Sequence, residues 1–150
     1  MADDPQATPY IKEPDKVRAQ VLSEILQEYD VLNNQKALRQ KTLLELEQFS
    51  PGKTSAYIGF LCSEGANASI SSEDISAIGD VLLSVGEVDE LNLIINSPGG
   101  DGTIAEKIIE LCRAYCKTFR VIVPNRAKSA ATIIALGADE IVMGYCSELG

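Results

Sequence analysis

The feature that most constrains this chain is an apolar run, Leu91-Asn92-Leu93-Ile94-Ile95, that ends in Asn96-Ser97-Pro98-Gly99-Gly100 and passes directly into Asp101-Gly102-Thr103-Ile104-Ala105-Glu106-Lys107-Ile108-Ile109. A short apolar run bounded by Pro-Gly reads as a buried strand, and the period of the segment after it is helical. The same order recurs along the chain. Ala56–Cys62 reads as a strand, and Ser71 with Asp74 opens a helix in capping-box spacing. Ile70 and Ile75 fit the staple that accompanies such a cap, Ile75, Ile78, Leu82 and Val85 form its apolar stripe, and Gly86 closes the helix. The pattern then predicts a strand over 91–95, a helix over about 103–118, a strand over 120–124, a helix over about 130–136 and a strand over 140–143. Alternation of this kind predicts an α/β fold with a mainly parallel sheet covered by helices and joined by right-handed crossovers.

Ahead of that domain the pattern is different. Residues 1–14 hold three prolines and few apolar side chains, and are expected to form a disordered lead-in. Residues 15–50 carry Val17, Val21, Ile25, Leu32, Leu38 and Leu43-Leu44-Leu46 at loosely helical intervals, an amphipathic arm that Ser50-Pro51-Gly52 breaks. Asn33-Asn34 divides it into two candidate helices. Residues 51–150 then form the α/β domain.

The composition narrows the partners. A net charge of −9 with no basic cluster argues against nucleic acid and anionic membranes, which demand counter-charge to phosphate. No apolar run approaches the length that spans a bilayer, and the start lacks the basic and apolar regions of a signal peptide, so a cytoplasmic location is expected. Cys62, Cys112, Cys116 and Cys146 lie in apolar segments and read as reduced core thiols. Cys112 and Cys116 share a helical spacing, but without histidine or a second cysteine pair no zinc site is expected, and no cofactor is implied.

In a parallel sheet every strand-to-helix turn opens at the carboxyl edge, where ligands bind. Gly100 and Ser129 occupy two successive turns of this kind, 29 residues apart, about one βαβ unit. The geometry should set them side by side. The N–H groups of Gly100 and Ala130 would then converge near the Ser129 hydroxyl, with Gly99 supporting the turn, which is the arrangement acyl transfer requires. Ser129 also fits a plain helix cap, and Asp101 reads equally as a helix N-terminal acid or as a group that orients a base.

These residues carry a resemblance. Asn96 to Gly100, the 29-residue step and Ala127-Lys128-Ser129-Ala130-Ala131 look like the Clp protease superfamily with its ClpP/crotonase fold, and Ser129 through Met143 resembles a segment of the serine dehydrogenase proteinases. The resemblance spans about residues 54–150 and implies a serine peptidase of ClpP/crotonase-like ββα/βαβ units. It implies Ser129 as nucleophile, Gly100 and Ala130 as the oxyanion hole, a peptide or unfolded protein as substrate, and a homo-oligomer, with any unfoldase partner unspecified. Lys128 stands where relatives often carry an apolar residue, and Ala131 where glycine is common. Family members take the serine proton with a histidine, or in related groups a lysine, located past the point that matches Gly150, so the chain is expected to be the N-terminal part of the family domain. It contains no histidine. Within it Lys107, one turn into the helix after the Gly-Gly turn, is the candidate base, and Lys128 is a poorer one because neighbours at such a turn point apart. Two other functions stay open from the residues: a non-catalytic assembly subunit acting through the 15–50 arm, and an acyl-CoA enzyme of the crotonase type, against which the serine motif argues.

Overall fold

The structure, a computed structural model, describes residues 34–48, 53–62 and 69–150. The expected lead-in and most of the arm lie outside these residues. The chain divides into two compact units, Met1–Gln40 and Lys41–Gly150. The first is helical over 34–40, and that helix, α1, runs on to 47.

The second unit is built on a parallel four-stranded sheet of order β1–β2–β3–β5, from β1 (Ser55–Leu61), β2 (Val88–Asn96), β3 (Cys116–Val123) and β5 (Glu140–Met143). A two-residue strand β4 (Arg126–Ala127) pairs in parallel with β6 (Glu148–Leu149) in a second, small sheet. The helices α2 (Ser72–Val85), α3 (Gly102–Ala114) and α4 (Ala130–Leu136) lie between successive strands, so the expected α/β order is present.

Alternation along the strands decides what each face holds. Leu91, Leu93 and Ile95 of β2 and Phe119, Val121 and Val123 of β3 are fully buried, as are Leu82 of α2, Ala105, Ile108 and Cys112 of α3 and Ile134 of α4. They form one core with Ala56 and Ile58 of β1. Among the alternate residues, Glu90 of β2 and Arg120 of β3 carry charge. Arg120 donates to Glu90 at 2.5 Å and to Asn92 at 3.1 Å, and grips Glu140 through two nitrogens at 2.7 and 2.6 Å. Glu90 and Asn92 are buried, so this row binds β2, β3 and β5 together on the face away from the core.

Two expectations need correction. The helix expected to reach 118 stops at Ala114, and β3 starts at Cys116 rather than 120. From Cys116 burial alternates with period two, and Val88 pairs with Cys116, so sheet pairing takes over where helical spacing still looked adequate. All four cysteines are free, but only Cys112 is a core thiol; Cys62 and Cys116 are half-buried and Cys146 is exposed. Burial pushes the Cys112 thiol up to about 12. No helix among the described residues is long and apolar enough to cross a membrane.

Candidate active site

Strand β2 delivers the Pro-Gly-Gly turn to the carboxyl edge of the sheet. Gly99 and Gly100 there take φ of 105° and 153°, values that favour glycine. Space demands glycine as well. A side chain on Gly99 would start 2.6 Å from Ser129 Cβ and 3.2 Å from the Ala130 nitrogen, and would also strike the Lys128 carbonyl. One on Gly100 would run into the backbone of Ile70.

The two turns therefore meet, as their spacing predicts, with Gly99 as the residue in contact. Ser97, at the end of β2, makes a parallel bridge with Ala127, its N–H donating to the Arg126 carbonyl at 3.0 Å and its carbonyl accepting from Lys128 N–H at 3.1 Å. Gly100 makes a second bridge, with Ile70: the Gly99 carbonyl accepts from Ile70 N–H at 2.8 Å, and Asp101 N–H donates to the Ile70 carbonyl at 3.0 Å. Across a planar trans peptide the N–H opposes the carbonyl, so Gly100 N–H points away from Ile70. Among the described residues neither that N–H nor the one of Ala130 has a hydrogen-bond partner.

Ser129 carries the one non-glycine positive φ among the described residues, with φ 51° and ψ −122°. A side chain in this region costs on the order of 1–3 kcal/mol, and such strain gathers at functional sites. The capping alternative fails here, because the Ser129 hydroxyl makes no cap bond to α4 and the residue is exposed. Its backbone is held instead: Ser129 N–H donates to the Gly150 carbonyl at 3.2 Å, and its carbonyl accepts from Thr132 N–H at 2.8 Å. Ala130 and Ala131, directly after it, are buried and start α4 against the core.

The other candidates fall into place around this pair. Asp101 caps α3, accepting from Thr103 N–H at 2.8 Å and Ile104 N–H at 3.3 Å. Lys107 sits on the exposed side of α3, away from the face that buries Ile104, Ala105, Ile108 and Cys112, and makes no hydrogen bond or ion pair among the described residues. Lys128 is turned towards β6, where it pairs with Glu148 at 2.7 Å and donates to the Leu149 carbonyl at 3.3 Å. The Lys128 ammonium holds the Glu148 carboxyl below its usual range. Among the described residues no cluster of ligating side chains could hold a metal ion.

Sequence reasoning missed two contributors. Thr132 Oγ1 donates to the Ala127 carbonyl at 2.7 Å and accepts from Gly150 N–H at 2.8 Å, tying β6 to the start of α4. The sequence pattern places Ile70 only in the staple of α2, whereas its backbone also anchors the Gly99–Gly100 turn. A threonine as the third residue of a helix is a weak signal, and a single bridged residue has no period to read.

Residues 65–150 match the family described as ClpP-like SDH-type serine proteinase. The chain belongs to that family. Two uncharacterized proteins of Methanocaldococcus jannaschii share 37% and 33% identity with it, each over 81 residues. That stretch is 54% of this chain but 28% of each relative, so the chain spans well under a third of their length. Among solved structures it is similar to a point mutant of ClpP1 from Listeria monocytogenes, at 24% identity and a TM-score of 0.43, covering 57% of this chain and 46% of that one. It is also similar to the ClpP protease catalytic domain from Plasmodium falciparum, at 14% identity and a TM-score of 0.46, covering 69% and 58%.

Proposed function

We propose that the chain carries the nucleophile and oxyanion hole of a serine peptidase. The observation that carries this reading is Ser129, an exposed serine with φ 51° and an uncommitted hydroxyl, pressed against Gly99. In the proposed reaction Ser129 Oγ bonds to the carbonyl carbon of a peptide as its proton passes to a base. The carbonyl oxygen becomes an oxyanion that the N–H groups of Gly100 and Ala130 receive. Collapse breaks the C–N bond, the base returns the proton to the leaving amine, and water hydrolyses the acyl-enzyme. The proposed base lies outside these 150 residues, with Lys107 as the alternative within them.

Membership of a serine proteinase family supports this chemistry. Its substrates are proposed to be peptides or unfolded proteins, handled by a cytoplasmic homo-oligomer in which 15–50 forms an arm and 51–150 the N-terminal part of the catalytic domain. A fluorophosphonate probe tests the nucleophile, applied to the chain and to a version extended past Gly150. Covalent labelling that vanishes in Ser129→Ala is expected. No labelling of the extended version, or equal labelling of Ser129→Ala, rejects the peptidase and favours a non-catalytic assembly role.

A further inference from the structure

We propose that Ser97 is a positioning residue of this site: its side-chain hydroxyl holds the Pro98–Gly99 peptide by its N–H and so, together with the Ile70 bond to the Gly99 carbonyl, sets the aim of the following Gly99–Gly100 peptide at Ser129. The inference rests on the peptidase reading above and deepens it. Two consecutive glycines at positive φ have little intrinsic preference between peptide orientations, so something outside them must choose one. Reversal of the Gly99–Gly100 peptide would turn the Gly100 N–H back towards Ile70 and present a carbonyl, which repels an oxyanion.

Gly99 is pinned at both of its polar atoms. Its N–H donates to Ser97 Oγ at 3.1 Å, and its carbonyl accepts from Ile70 N–H at 2.8 Å. The Ser97 backbone is meanwhile joined to Arg126 and Lys128, the segment that leads to Ser129. One buried residue thus couples the glycine turn to the serine turn, with its backbone on one side and its hydroxyl on the other. Cys62 Sγ lies 3.3 Å from the same hydroxyl and donates to it, so the oxygen is surrounded by donors and oriented as an acceptor. The Ser97 hydroxyl does not touch the reacting atoms in this arrangement. It acts through Gly99.

The test compares the wild-type chain, extended past Gly150, with Ser97→Ala, Ser97→Thr and Ser55→Ala. Ser55 Oγ is buried without a hydrogen-bond partner among the described residues, so Ser55→Ala makes the same chemical change on the sheet where no positioning is at stake. Amide hydrogen exchange should accelerate about tenfold at Gly99 in Ser97→Ala, with Leu93 unchanged. The maximal rate of fluorophosphonate labelling should fall about tenfold at an unchanged half-saturating concentration, because the lost interaction acts in the transition state. Ser97→Thr, which keeps the hydroxyl, should restore both, and Ser55→Ala should alter neither. Wild-type exchange at Gly99 in Ser97→Ala, or wild-type labelling by that variant, overturns the proposal. Faster Gly99 exchange in Ser97→Ala alongside a wild-type chain that never labels supports the pin on Gly99 and rejects the peptidase reading instead.

Discussion

At the scale of the residue, Ser129 and Gly99 oppose stability to chemistry. Ser129 holds φ 51° and ψ −122°, a conformation that glycine adopts without a Cβ penalty. Ser129→Gly is therefore expected to gain about 1 kcal/mol after the added chain entropy of glycine is subtracted from the strain released. A melting temperature raised by about 4 °C alongside lost fluorophosphonate labelling would show both effects, and an unchanged or lower one would reject the strain argument. Gly99→Ala runs the other way. Its methyl would meet Ser129 Cβ at 2.6 Å, at a φ of 105°, so a loss of about 2–3 kcal/mol and of labelling is expected in chemical denaturation and probe assays. Much of this pair was legible in the sequence, since Pro-Gly-Gly and a serine one βαβ unit later already imply two adjoining turns. The backbone role of Ile70 and the Thr132 bond to Gly150 were not, because each joins residues distant in sequence, and the Ser97 hydroxyl, though only two residues from Gly99, leaves no period to read.

At the scale of the element, local signals and tertiary pairing divide the work. The capping motif of α2 is present, with Ser71 N–H donating to the Asp74 carboxylate at 2.8 Å. Asp101 does the same service for α3 through Thr103 and Ile104. Asp101→Ala is expected to cost about 1 kcal/mol in urea unfolding, and any effect on labelling beyond that loss would mean the carboxylate also serves the site. Starts of helices were legible because caps are local. The end of α3 was not, since Tyr115 and Cys116 continue an acceptable helical pattern and only the partner strand at Val88 draws them into the sheet. Strands β4 and β6 are two residues each, too short to show a period. The charged row across β2, β3 and β5 also escaped notice, as Glu90 and Arg120 are 30 residues apart. Arg120→Met would leave the buried Glu90 with only Asn92 and the exposed Lys53 and is expected to cost about 3 kcal/mol, whereas Lys53→Ala, 4.0 Å from Glu90, should cost under about 1 kcal/mol.

At the scale of the whole molecule, the carboxylates set the response to acid. The Lys117 ammonium and the Thr54 N–H and hydroxyl hold the Asp89 carboxyl below its usual range. The Phe119 N–H, then Arg113, do so for Asp139, as Lys128 does for Glu148. Each folded carboxylate binds its proton less readily than the unfolded chain does. Their stabilisation is complete above pH about 4 and is lost as the pH falls through the lowered values. Melting temperature measured from pH 7 to pH 3 should stay level and then drop below about pH 4. The drop should be shallower in Asp139→Asn, and a curve that rises on acidification would contradict the assignment.

One linkage at this scale runs from β6 to the serine without entering the hydrophobic interior. Gly150 accepts from Ser129 N–H and donates to Thr132 Oγ1, while Lys128 clasps Glu148 and Leu149. Traction on that last strand would be felt at Ser129 as a drawstring is felt at the mouth of a purse, so whatever takes hold of β6 also has a hand on the serine.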